Sequence, residues 1–182
     1  MGLWLPILLS AVIVFIASSI LHMVLKFHKN DYKKLANEDG ILEAIRKGNL
    51  EPGMYMFPCH TDPSAMKSPE FIEKCKRGPI GTLTVMRPGM INMGKYLAQW
   101  FGFCLLVGIF VAYLTSRTIQ AGSDYLMVFR VAGTVSFLAY GFGNILDSIW
   151  RAQPCGVTIR HLIDALIYAL LTGGVFGWLW VR

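Results

Sequence analysis

Ionisable and amide side chains stand within two long apolar segments in the C-terminal half of the chain. In residues 125–150, Asn144 and Asp147 belong to one polar stripe with the period of an α-helix. In residues 158–181, Arg160 and Asp164 share one helical face, and His161 lies beside them. Because a lone charge at bilayer depth costs about 2.5–3.5 kcal/mol, these five residues are expected to form a polar cluster inside the membrane.

Two interpretations of this cluster remain open. Folding the two segments antiparallel about Pro154 brings Asn144 opposite Asp164, and Asp147 or Ser148 opposite Arg160 or His161. Among these contacts an Asp147–Arg160 ion pair is physically attractive. In the structural interpretation the ions pair and fix the hairpin, whereas in the functional one the cluster lines a cavity for a proton, a cation or a small ligand. All five residues lie within about three turns of one helix boundary, where water reaches them, and this favours the structural interpretation.

Motifs for known chemistry are missing from the sequence. It contains no nucleophile elbow, metalloprotease helix, P-loop or dinucleotide-binding glycine pattern. Its cysteines have no C-x-x-C spacing that would indicate a zinc finger. The sequence therefore predicts no enzyme, no catalytic residue, no metal site and no cofactor. Weaker alternatives are a metal held by Cys59, His60 and Cys75, and a haem ligated by His22.

The composition indicates a membrane protein. Of 182 residues, 54% are hydrophobic and 15% are charged, whereas a soluble domain carries about 25% charged residues. Four mostly apolar stretches reach the roughly 20 residues that a membrane span needs. The predicted fold is an all-α membrane protein with four transmembrane helices and a small α+β cytoplasmic insert between helices 1 and 2. Residues 1–26 form the first helix, an uncleaved signal anchor; residues 27–95 form the insert; and residues 96–182 form a three-helix region with helices at 96–115, 125–150 and 158–181.

Local signals divide the insert into short elements. Asn37 is placed to cap a helix that ends at Gly48, and Ser68 is placed to cap a helix that ends at Gly78. Residues 54–57 and 82–86 are the two strand candidates. The insert is small for a module that must be stable without further support. We therefore expect it to pack on the membrane surface or on a partner.

Basic residues predict the orientation. Twelve Lys or Arg residues lie between positions 26 and 95, whereas the loop at 116–124 carries one. The positive-inside rule therefore places the insert and the 151–157 turn in the cytoplasm and both termini outside. A basic flank should contact anionic lipid rather than nucleic acid; it consists of Lys26, Lys29, Lys33 and Lys34.

Small residues spaced four apart predict close helix contacts. They could pack helices within one chain or form a docking face for another subunit. These candidate packing residues are Gly108, Ala112, Ala139, Gly143, Gly173 and Gly177.

Several short motifs occur together along nearly the whole chain. They are Lys67-Ser68-Pro69-Glu70-Phe71-Ile72-Glu73-Lys74, Met93-Gly94-Lys95, Gln99-Trp100-Phe101, Val128-Phe129-Arg130, Asp147-Ser148-Ile149-Trp150 and Phe176-Gly177-Trp178-Leu179-Trp180. With them the chain resembles a family of uncharacterised bacterial four-helix integral membrane proteins. The resemblance implies a bacterial inner-membrane location and supplies no activity, cofactor or functional residue.

These observations favour a small integral membrane protein that acts as an interaction or accessory subunit of a membrane complex. Its expected partners are the lipid bilayer and other membrane subunits or a second copy, and no nucleic acid. One alternative is an ion- or solute-handling transporter that uses the polar residues of helices 3 and 4. A weaker alternative is a metal- or haem-binding membrane protein.

Overall fold

Four helices dominate the structure, a computed structural model that describes residues 2–60 and 62–180. The helical segments Trp4–Val24, Met93–Thr118, Tyr125–Arg151 and Cys155–Leu179 are each long and apolar enough to cross a membrane. The prediction of four candidate transmembrane helices and a small sheet is thereby confirmed. Val181, at the predicted end of the fourth helix, lies outside the described residues.

The chain forms two compact units, and the larger one comprises Met1–Tyr32 and Asn92–Arg182. Its helices are α1 (Trp4–Ser19, continued by a π-helical turn over Ile20–Val24), α4 (Met93–Thr118), α5 (Tyr125–Arg151) and α6 (Cys155–Leu179). Helix α4 begins three residues before the predicted start because the Asn92 side chain caps it, accepting a hydrogen bond from the Lys95 amide at 3.1 Å.

Packing within this unit centres on the hairpin of α5 and α6. Helix α1 packs against α4 and α6, and α4 packs against α5. One core cluster joins Val111 of α4 with Val128 of α5 and Phe176 of α6. A second joins Val14 of α1 with Tyr168 of α6. Helices α4 and α6 both contribute to the two clusters, and α6 packs directly against α1 and α5.

The second unit, Lys33–Ile91, covers most of the predicted insert of residues 27–95. It contains α2 (Glu38–Lys47), β1 (Gly53–Phe57), α3 (Pro69–Arg77) and β2 (Gly81–Val85), and the two strands pair antiparallel from Gly53↔Val85 to Phe57↔Gly81. The predicted caps are confirmed. The Asn37 side chain accepts from the Gly40 amide at 3.3 Å, and the Ser68 hydroxyl accepts from the Phe71 amide at 3.2 Å.

The candidate packing residues fall into two groups. Gly108, Ala112, Gly173 and Gly177 lie where neighbouring helices approach closely within this chain. Ala139 and Gly143 are instead exposed on α5. The contrast is sharpest between Gly173 and Gly143: a Cβ at Gly173 would lie 2.9 Å from the Phe129 carbonyl oxygen, whereas a Cβ at Gly143 meets nothing within 4 Å.

Gly173→Ala should therefore lower the free energy of unfolding by about 1–3 kcal/mol, because the added methyl group forces α5 and α6 apart. Gly143→Ala is the matched control and should cause no loss. Unfolding of both variants in mixed detergent micelles measures the difference. Equal stability of the two variants would contradict the close α5–α6 packing at Gly173.

Candidate metal centre

The site is built on a reversal of the chain at the end of α1. The π-helical turn Ile20–Val24 ends the helix, Leu25 takes an extended conformation (φ −83°, ψ 115°), and a 3-10 turn follows over Lys26–His28. This reversal returns His28 to the side of His22. Their rings stack with centroids 4.1 Å apart and an interplanar angle of 5°. Insertions of π-helical geometry into α-helices are frequent at functional sites.

Helix α6 supplies two further side chains to the same place. His161 and Asp164 are three residues apart on one helical face, which directs both toward the end of α1. Asp164 Oδ2 lies 2.8 Å from His28 Nε2 and 3.7 Å from His22 Nε2. One ligand atom from each of His22, His28, His161 and Asp164 lies within 4.8 Å of the others. We call these four residues the His3Asp cluster.

Hydrogen bonds orient two of the imidazoles and assign their protons. His22 Nδ1 lies 3.0 Å from the Ser18 carbonyl oxygen, and His28 Nδ1 lies 2.6 Å from Asp31 Oδ2. Because both oxygens are acceptors, each Nδ1 carries a proton and donates it, and Nε2 of each ring faces the other members of the cluster. Both Nε2 atoms lie near Asp164 Oδ2, at 3.7 Å for His22 and 2.8 Å for His28. This carboxylate-to-histidine arrangement is typical of metal-ligating histidines.

Arg160 holds the carboxylate that orients His28. Its Nε donates to Asp31 Oδ1 at 2.6 Å, and its second guanidinium nitrogen lies 2.5 Å from the same oxygen. Burial alone would raise the pKa of Asp31, but hydrogen bonds from His28 and Arg160 outweigh it and hold the pKa below its usual value. Asp31 is therefore a carboxylate that ties the segment after α1 to α6.

The predicted Asp147–Arg160 ion pair is wrong. Asp147 pairs with Arg151 on its own helix at 2.9 Å, and Arg160 pairs with Asp31. The reason is that the reversal after α1 brings Asp31 to Arg160, while Arg151 stands one helical turn from Asp147. Asp147 and Arg160 thus each pair with a different partner.

Polar atoms at the centre of the His3Asp cluster lack hydrogen bonds. Within residues 2–60 and 62–180, His28 Nε2 and both carboxylate oxygens of Asp164 are buried without a hydrogen-bond partner. His28 Nε2 lies 2.8 Å from Asp164 Oδ2. A buried carboxylate needs a compensating positive charge at this distance, and either a proton on Nε2 or a metal ion supplies it. The arrangement is therefore suited to a bound cation.

The His3Asp cluster lies between two cavities. The first has a volume of about 550 Å³, and its wall is largely apolar and aromatic, with Asn144 and three members of the cluster on it. The second has a volume of about 630 Å³ and carries Asp31, Asp147 and Arg151 on a more polar wall. The cluster thus borders an apolar space on one side and a polar space on the other.

Comparisons of the chain with protein-family models, with curated proteins and with solved structures found no match. The resemblance to bacterial four-helix membrane proteins therefore stays a prediction, and the site is interpreted from its own geometry.

The sequence-based polar cluster overlaps the structural site in part. His161 and Asp164 belong to the His3Asp cluster, and Asn144 lines the first cavity while donating to the Gly141 carbonyl at 3.2 Å. Sequence reasoning missed His28 and Asp31. The available signal was a pair of histidines spaced six apart, followed by an aspartate, directly after the first apolar segment.

The cysteine alternative gains no geometric support. Among the described residues, the group of side chains that could share a metal ion contains neither Cys59, His60 nor Cys75. The Cys59 thiol instead donates to the His60 carbonyl oxygen at 3.6 Å.

Asp31→Asn should lower the free energy of unfolding by about 1.5–3 kcal/mol, because it removes charged hydrogen bonds from Arg160 and turns an amide against His28. Asp147→Asn is the matched control: the side chains of Asp147 and Arg151 are 36% and 55% exposed, and such pairs contribute at most about 1 kcal/mol. Thermal or denaturant unfolding in detergent would separate the two. A larger loss in the Asp147 variant would contradict the central role of Asp31.

Proposed function

We propose that the protein is a multi-pass membrane protein that binds a divalent transition-metal ion at the His3Asp cluster. The observation that carries the proposal is the convergence of four ligand atoms within 4.8 Å. They come from the end of α1, the turn after it and the start of α6. A metal site needs ligand atoms that lie close together and further hydrogen bonds that orient the ligands. Here the Ser18 carbonyl orients His22, and Asp31 orients His28.

The donor set selects the type of ion. Three imidazole nitrogens and one carboxylate oxygen suit zinc and other first-row transition metals. Calcium and magnesium prefer sites built from oxygen ligands, so the His3Asp cluster disfavours them. A haem ligated by His22 is also disfavoured, because a porphyrin needs open space at Nε2 and Asp164 Oδ2 lies 3.7 Å from that atom.

We place the protein in a bacterial inner membrane with both termini outside and the insert in the cytoplasm. The basic flank supports this orientation, since Lys26, Lys29, Lys33 and Lys34 are all exposed. In this orientation the His3Asp cluster is near the cytoplasmic ends of α1 and α6. The second cavity, with Asp31 and Asp147 on its wall, is then the path by which a cation enters from the cytoplasm.

An interaction or accessory role remains the second candidate. Within residues 33–60 and 62–91 no side chain is buried, and Met54, Ile80 and Met86 are more than half exposed. Ala139 and Gly143 are exposed on α5 as well. These surfaces support a partner subunit or a second copy, and such a role is compatible with metal binding. The transporter alternative also stays a prediction, and the same cation site would serve it.

The purified protein should bind one equivalent of Zn²⁺, and the His28→Ala, His161→Ala double variant should bind it at least about 100-fold more weakly, because two of four ligands are lost. Isothermal titration and elemental analysis after dialysis give affinity and stoichiometry.

His60→Ala is the control, because the chain has four histidines and His60 is the one that lies outside the His3Asp cluster. It should leave zinc binding unchanged. Retention of stoichiometric zinc by the double variant, or absence of zinc from the wild type, would refute the metal site. Helix content by circular dichroism separates lost ligation from unfolding.

Cysteine labelling should report the orientation. Cys59 and Cys155 are exposed, whereas Cys104 is buried. In a Cys75→Ser background, a membrane-impermeant maleimide should modify Cys59 and Cys155 in inverted vesicles and neither in intact cells with a permeabilised outer membrane. Modification in the intact cells would place the insert outside and reverse the proposed topology.

A further inference from the structure

The first cavity contains a polar end with unsatisfied groups. Asp164 and Tyr168 are 3% and 4% exposed and both line the cavity. The Tyr168 hydroxyl has no hydrogen-bond partner within the described part of the chain, whereas Asp164 Oδ2 faces His28 Nε2 at 2.8 Å. A buried hydroxyl without a partner costs free energy unless a ligand supplies one. The polar end therefore offers one O–H donor next to the proposed cation.

Aromatic rings form the adjoining wall. Trp100, Tyr140 and Tyr168 pack on one another with ring centroids 5.4 to 6.1 Å apart, and all three line the cavity. The indole N–H of Trp100 already donates to the Ser18 hydroxyl at 2.8 Å. Trp100 thus has no polar group left to satisfy. A wall of this kind suits a planar ring, which can stack on it or meet it edge to face.

The remainder of the cavity wall is largely apolar. Met23, Met93 and Leu97 lie on it together with Ser18, Ser19 and Asn144. No Lys or Arg lies among the described lining residues, so an anionic headgroup would find neither and would lie beside Asp164. A volume of about 550 Å³ is within the usual range for small-molecule sites. The lining favours an uncharged, lipid-soluble occupant.

We propose that the first cavity binds a quinone-type molecule: an uncharged planar ring with carbonyl oxygens and a hydrocarbon tail. The ring lies against the aromatic wall, and a carbonyl oxygen accepts from the Tyr168 hydroxyl. A carbonyl is an acceptor and so complements both groups at the polar end, the O–H donor and the cation. The tail extends along Met23, Met93 and Leu97. This inference rests on the proposed metal site, which shares His22, His161 and Asp164 with the cavity wall.

Native mass spectrometry of the zinc-loaded protein with decylubiquinone tests the proposal. A one-to-one adduct is expected, with dodecanol, which has a hydroxyl and a tail but no ring, binding at least about tenfold more weakly. Equal binding of the two probes would overturn the assignment of a ring and point to a lipid alcohol instead.

Two variants locate the adduct. Leu97→Trp fills the cavity and should weaken decylubiquinone binding at least about tenfold, whereas Leu106→Trp, an exposed position on the same helix that is not among the lining residues, should not. Tyr168→Phe should weaken binding about 3- to 10-fold, because it removes one hydrogen bond. The same variant should not lower the unfolding temperature, because the lost hydroxyl has no hydrogen-bond partner among residues 2–60 and 62–180.

Zinc content separates this inference from the function on which it rests. Leu97→Trp should keep its zinc, so loss of decylubiquinone with zinc retained supports the cavity site. Zinc-loaded wild-type protein without an adduct would overturn the quinone site and leave the metal site standing. An adduct that survives Leu97→Trp unchanged would place the ligand elsewhere and overturn the proposal. Wild-type protein without zinc would contradict the metal site directly.

Discussion

The ion pair between Asp31 and Arg160 is the interaction on which the geometry of the His3Asp cluster depends. Asp31 accepts from Arg160 with one carboxylate oxygen and from His28 with the other. The first contact fixes the segment after α1 against α6, and the second fixes the ring of His28. Without both contacts, His28 would have no reason to lie beside Asp164, because nothing in the short 3-10 turn determines its direction.

Local sequence signals were sufficient for the elements of the fold. Apolar stretches of membrane-spanning length predicted the four long helices, and Asn37 and Ser68 predicted the starts of α2 and α3 because a cap acts over three residues. The early start of α4 was missed although it follows the same rule. There, Asn92 precedes a polar first turn, and hydrophobicity alone placed the boundary inside the helix.

The site was only partly predictable because it depends on a backbone reversal. His161 and Asp164 share a helical face, which periodicity reveals. His28 reaches them only because the chain leaves helical geometry between Ile20 and Leu25, and no periodic pattern marks that change. The expected Asp147–Arg160 pair failed for the same reason. The positions of residues along a hairpin show which of them can meet. They do not show that a residue from outside the hairpin, such as Asp31, pairs with Arg160 instead.

The site joins parts of the chain that are made at different times. Arg160 follows Asp31 by 129 residues, and Asp164 comes later still, on the last of the four long helices. During synthesis, His22, His28 and Asp31 emerge before His161 and Asp164, which complete the His3Asp cluster. The cluster is therefore complete only after the final helix has been made and docked. Occupancy of the proposed metal site would accordingly distinguish a fully assembled chain from a stalled or truncated one.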